Sequence, residues 1–252
     1  MFDDSGAASP REGKRADFQS LLGEIEKRMA GGEYPPEPAP PDPEIERAEL
    51  EGKRIARLKA MNVGRIFWRE NFETFSAYTP ELARHLATAR KFAERPEGKL
   101  VMLGNNGAGK NHLAASILQK TGGAIYTAFE ISVRLRASYG GRGSEAEVLC
   151  ELCEMPMLVI DEIGRTKGEA FDINWLSHVV NKRHENALPL VLISNRHLMD
   201  DCPEYTERGC RKCLENFFDN DVISRIVEDG EIMKFAGADY RERIRERRRT
   251  GR

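Results

Sequence analysis

The sequence predicts an α/β fold, a parallel sheet buried on both faces by flanking helices. Three observations carry this. Five short apolar runs, at 99–103, 124–127, 157–161, 190–194 and 232–235, alternate with helix-patterned stretches, and that order makes parallel strands joined by crossover helices. Each run is four or five mainly apolar residues, as strands covered on both faces require. A glycine-rich turn ending in lysine follows the first run. The composition is that of a polar globular chain: 252 residues, 40% hydrophobic and 32% charged, with net charge −2. No global positive charge advertises nucleic acid, so any such surface must be a local patch. No run approaches the ~18 apolar residues of a membrane span. Asp3 and Asp4 stand where a leader peptide needs basic and then apolar residues, so no membrane association and a cytoplasmic location are expected. Five cysteines fit thiols or a metal site in a reducing compartment better than a secreted disulfide framework.

The elements follow in order. In an N-terminal arm, 1–30, Phe18, Leu21, Leu22, Ile25 and Met29 recur at spacings of three and four. That spacing predicts an amphipathic helix too short to own a core, one that needs a partner surface. Residues 31–43 hold six of the twelve prolines and read as an extended linker. A helical lead-in, 44–98, comprises a charged helix over 44–61, with Leu50, Ile55 and Leu58 as a thin apolar stripe, and a second helix over 79–94. Thr79 is placed to cap the second helix, and Pro80 suits its first turn. The core runs over 99–241, with helices over 113–119, 130–139 and 171–183 between strands, and 242–252 is a basic tail. The last twelve residues carry seven arginines against two glutamates, a nucleic-acid backbone contact or a solvated tail.

Chemistry concentrates at the ends of the strands. Gly104, Asn105, Asn106, Gly107, Ala108, Gly109 and Lys110 form G-x-x-x-x-G-K between strand and helix, the context in which that pattern cradles phosphates. Its glycines let backbone amides turn inward, the helix start adds a positive dipole end, and Lys110 brings a charge to the β and γ phosphates. Asn111 stands where most such loops place a hydroxyl for Mg²⁺, so weaker metal binding and slow turnover are expected. The run ending in Asp161 and Glu162 has the Walker B arrangement, with Asp161 for Mg²⁺ and Glu162 for the attacking water. Asn195, after the fourth run, is placed to orient that water, or else caps a turn.

Together, GNNGAGKNHLA, VIDEIG and LISNRH resemble the DnaC/IstB branch of the AAA+ ATPases, over 72–241. The residues at 70–94 look like that family's lead-in, and GADYRER at 237–243 like its C-terminal signature. The resemblance implies an AAA+ fold with little or no lid domain, since seventeen residues after Phe235 are too few for a helical lid. It implies Asn195 as sensor 1, Arg225 as an arginine finger acting on a neighbouring subunit's ATP in a homo-oligomer, and Arg241 as sensor 2. It further implies a hexameric replicative helicase and single-stranded DNA as partners, with the N-terminal arm as the grip. A transposition helper that binds duplex DNA, or a nucleotide-dependent scaffold with little turnover, are the alternatives.

The cysteines divide into two groups. Cys150 and Cys153, at helical spacing beside Val148 and Leu149, read as core residues. The stretch 197–213 looks like an insertion with little apolar content, and there Zn²⁺ held by Cys202, Cys210, Cys213 and His197 competes with free thiols.

Overall fold

The computed structural model describes residues 20–27, 30–31, 42–138, 144–165, 170–202, 210, 212–218 and 220–236. Helix α1 (Pro43–Ala60) opens on Glu44 and Glu46 and ends on Arg57 and Lys59, charges that complement its dipole. Leu58 is buried and Leu50 exposed, so the expected apolar stripe engages the core only at its C-terminal end. Helix α2 (Pro80–Glu94) starts as its sequence requires, with Thr79 extended and its hydroxyl accepting the Leu82 amide at 3.1 Å.

The core then alternates. Strand β1 (Lys99–Gly104) leads to α3 (Lys110–Thr121), β2 (Ala124–Thr127), α4 (Ala128–Ser138) and α5 (Glu145–Glu154). After these come β3 (Leu158–Ile163), α6 (Ala170–Glu185), β4 (Leu190–Ser194), α7 (Asn220–Glu228) and β5 (Gly230–Phe235). All pairs are parallel, in the order β2-β3-β4-β1-β5. Helix α5 begins with a capping box in which Ser144 and Glu147 satisfy each other's amides.

Because successive strand side chains point to opposite faces, the sheet feeds two cores. Leu100, Met102, Val159, Val191, Ile193 and Met233 pack on the side of α2 and α3. Val101, Leu103, Leu158, Ile160, Leu190 and Leu192 pack with residues of α4, α5, α6 and α7. Filling both slabs with aliphatic side chains, each worth about 1.5–3 kcal/mol when fully buried, makes the sheet the rigid frame for the ends of its strands.

The chain divides into two compact units, 1–49 and 50–252, with the division inside α1. In the first, residues 20–27 are helical and Leu21, Leu22 and Ile25 are exposed. The linker, apart from 31 and 42–43, lies outside the described residues, as do the 237–243 signature, Arg241 and the basic tail. Cys153 is buried but Cys150 is exposed, its thiol donating to Glu154 at 3.0 Å. The core reading of Cys150 is thereby corrected, because on α5 it occupies the solvent side of the turn.

Candidate nucleotide-binding site

Parallel strands end together, and the C-terminal ends of β1, β3 and β4 bring the phosphate loop, the two carboxylates and Asn195 to one rim. Lys110 is buried, and its ammonium donates to the carbonyls of Gly104 and Asn105, both at 2.7 Å, and to Asn195 Oδ1 at 3.1 Å. Burial lowers its pKa from the usual 10.5 to about 8, opposed by the charge of Asp161. Phe75 from the lead-in lies against Gly109, where a Cβ would come within 2.8 Å of the ring. It meets His112 edge-on at 5.1 Å, so the segment before α2 braces the loop.

Asn111 donates its amide to Asp161 Oδ2 at 2.6 Å. The Asp161 carboxyl is pushed up by burial, against the pull of that bond and of the Glu162 amide, which donates to Oδ1 at 2.6 Å. A half-buried carboxylate whose charge lacks full compensation suits a divalent cation, so Asp161 fits Mg²⁺. Asn111 meets it with a donor face instead of a ligating oxygen.

The register between β3 and β4 shifts between Ile160 and Ile163, a bulge at the two acids. Glu162 has φ +58° there, a left-handed conformation that costs a non-glycine residue about 1–2 kcal/mol. Strain of this kind gathers where a side chain must be aimed. Glu162 pairs with Arg165. A cleft of about 300 Å³ opens beside it, lined among others by Asn106, Glu162, Asn195, Arg196 and Lys212.

Sequence reasoning left out Arg196, Lys212 and Arg165. Arg196 donates from Nε and Nη2 to the Gly164 carbonyl at 2.9 and 2.6 Å, and its guanidinium lies 5.1 Å from the Phe217 ring centroid. Gly164 permits this with φ +76°, where a Cβ would sit 2.0 Å from Arg196 Nε. No spacing in the sequence signals such a bond; adjacency to Asn195 was the only hint. Arg225 lies on α7, outside the cleft lining, with its charge felt by Glu185 of α6.

His197, Cys202, Cys210 and Cys213 also come together, each offering one donor atom, all within 4.8 Å of one another. Burial, and then the neighbouring Cys202 and Cys210, push the Cys213 thiol up to about 12.

The profile of a family described as IstB-like ATP binding protein matches residues 44–248. The replicative helicase loader DnaC of Escherichia coli K12 is 27% identical over 137 residues, 51% of this chain and 56% of the loader. The chain thus aligns with little more than half the length of that relative. An ATP-binding protein of Geobacillus stearothermophilus, named for insertion sequence IS5376, is 26% identical over 215 residues, 81% of this chain and 79% of that protein. Among solved structures, a DnaC helicase loader superposes with TM-score 0.57 at 23% identity, covering 68% of this chain and 99% of that one. The DnaI structure gives 0.55 at 18% identity, covering 70% and 93%; both likenesses bear on the fold.

Proposed function

This chain belongs to the family of IstB-like ATP binding proteins, with the fold of the AAA+ ATPases, and on that premise we propose that it loads a replicative helicase onto single-stranded DNA during replication. The observation that carries the ATPase chemistry is the convergence of Lys110, Asp161, Glu162 and Asn195 on one rim. In this reading the amides of 104–110 and the Lys110 ammonium hold the phosphates of ATP. Asp161 holds Mg²⁺, which neutralises phosphoryl charge when bound. Glu162 accepts a proton from the attacking water, and Asn195 orients that water. By the family resemblance, Arg225 on α7 acts on the nucleotide of a neighbouring subunit in a homo-oligomer, and Arg241 serves as sensor 2. Turnover is slow because Asn111 presents an amide N–H to Asp161.

The loader alignment supports the helicase partner, and the apolar face of the N-terminal helix, Leu21, Leu22 and Ile25, is the surface to meet it. The longer alignment with the insertion-sequence protein favours a second reading, a transposition helper that binds duplex DNA. A pull-down with the hexameric replicative helicase separates them. The full chain should retain the helicase, and a chain lacking residues 1–43 should not. Cooperative binding to duplex DNA with no retention of the helicase would overturn loading in favour of the second reading. Binding of ATP without phosphate release from the assembled protein would point to a scaffold.

A further inference from the structure

The four residues His197, Cys202, Cys210 and Cys213 lie at the end of β4 and in the turns after it, held by three separate anchors. His197 and Cys213 face each other across a parallel bridge, in which the His197 amide donates to the Lys212 carbonyl at 3.3 Å and the Leu214 amide to the His197 carbonyl at 2.9 Å. Leu214, Phe217 and Phe218 are buried immediately after the bridge, so that limb is fixed by the core. Cys202 ends a 3₁₀ turn over Met199–Asp201, and Asp201 pairs with Lys234 of β5 at 2.6 Å.

The donors lie close enough together to surround one ion. With Zn–S near 2.3 Å and Zn–N near 2.0 Å, ligand atoms stand about 3.5–3.8 Å apart. The Cys210 sulfur is 3.6 Å from His197 Nε2, and all four donors fall within 4.8 Å. At the Cys210–Cys213 turn, the Lys212 amide donates to the Cys210 sulfur at 3.4 Å and the Cys213 amide to the Cys210 carbonyl at 3.1 Å. Asn216 also donates to the Cys210 carbonyl, at 2.7 Å. Three thiolates and a neutral imidazole around Zn²⁺ carry a net charge of −1, and the Arg196 guanidinium lies within electrostatic reach of both Cys210 and Cys213. Its Nη1 is 3.4 Å from the Cys213 carbonyl oxygen. Such surrounding groups orient ligands and balance charge in metal sites.

We propose that His197, Cys202, Cys210 and Cys213 bind one Zn²⁺ as a Cys₃His site, and that the ion fixes Arg196 and Lys212 at the nucleotide cleft. Binding breaks three S–H bonds, forms three Zn–S bonds and one Zn–N bond, and releases three protons to the buffer. The connection to the cleft is short. Arg196 follows Asn195, which accepts the Lys110 ammonium, and it holds the carbonyl of Gly164, two residues after Glu162. Lys212 lies inside the Cys210–Cys213 turn and lines the same cleft as Glu162 and Asn195. Arg196 and Lys212 act here as positioning residues. This coupling rests on the ATPase reading; metal binding does not.

Elemental analysis of full-length protein purified without chelator should find about one zinc per chain. Exchange with Co²⁺ should give the intense visible bands of a tetrahedral thiolate site, and His197→Cys should keep the metal while moving those bands. The Cys210→Ser/Cys213→Ser double variant should lose the metal, and Cys150→Ser/Cys153→Ser should retain it. Absence of stoichiometric metal, an octahedral Co²⁺ spectrum, or zinc that survives loss of Cys210 and Cys213 would each overturn the site. For the coupling, zinc-stripped protein should bind a fluorescent ATP analogue within about twofold of the zinc-loaded protein but release phosphate about tenfold more slowly. Unchanged turnover would overturn the coupling alone. If the zinc-loaded protein itself releases no phosphate, the ATPase reading fails while the zinc count and the Co²⁺ spectrum stand.

Discussion

Lys110 shows how a single residue joins folding to ligand binding. Burial against the carbonyls of Gly104 and Asn105 lowers its pKa to about 8, whereas bound phosphates favour the charged form. Nucleotide binding should therefore take up protons near and above pH 8, and affinity should fall about fivefold between pH 8 and pH 9 as the protonated fraction declines. Titration calorimetry in buffers of different ionisation enthalpy measures both quantities; an affinity flat across that range would mean that Lys110 stays fully charged in the free protein. The sign for folding is opposite. Between about 8 and 10.5 the unfolded chain holds more protons at this position, so the lysine's contribution to stability rises with pH. Asn111 stands where a hydroxyl would ordinarily reach the metal, and its amide presents an N–H to Asp161, because a bare carboxylate attracts the donor end of an amide.

At the scale of elements, the helices on the α4 to α7 side depend on a charge that their amphipathic pattern hides. Arg183, on the last turn of α6, is fully buried. It donates to the carbonyls of Leu152 and Met155 at 2.8 Å and of Pro189 at 2.5 Å. It thereby satisfies the C-terminal end of α5 and the entry to β4 together, which free carbonyls in the interior could not do alone. Arg183→Ala should leave three buried acceptors unpaired and lower stability by about 3 kcal/mol or more. Urea unfolding followed by circular dichroism would show this as a fall in the midpoint, with Arg183→Lys intermediate; a change under about 0.5 kcal/mol, as for an ordinary surface site, would contradict the role. The bulge in β3 is also an element-level device, since one extra residue at Asp161–Glu162 turns the second acid toward the cleft.

At the scale of the whole molecule, the proposed action of Arg225 in trans makes turnover depend on assembly. The cleft carries Glu162 and Asn195, the latter bonded to Lys110, and Arg225 lies on α7. An arginine finger supplied in trans contributes only where another subunit's nucleotide is in reach. Arg225→Ala should leave ATP affinity of the dilute protein unchanged and lower phosphate release of the assembled protein by about a thousandfold. Measuring turnover against protein concentration checks this: wild-type specific activity should rise with concentration and the variant's should not. Full activity in Arg225→Ala, or wild-type activity independent of concentration, would count against the trans role.

The sheet strands, the glycine-rich loop, the paired acids and the position of Asn195 are legible in local order: four or five apolar residues, a glycine spacing, a carboxylate at a strand's end. Helix starts were legible for the same reason, as at Thr79, where cap and first turn are adjacent in the chain. Strand order, the bulge at Glu162, and the bonds of Arg183 and Arg196 depend on contacts between distant parts of the chain. They join residues 32 apart, as for Arg196 and Gly164, or 31 apart, as for Arg183 and Leu152, and no periodicity encodes a partner at that distance. The cysteines lie between these cases. Their spacing singles out Cys202, Cys210 and Cys213 with His197, while the convergence of the four donors depends on a bridge between His197 and Cys213 beside the buried Leu214, Phe217 and Phe218.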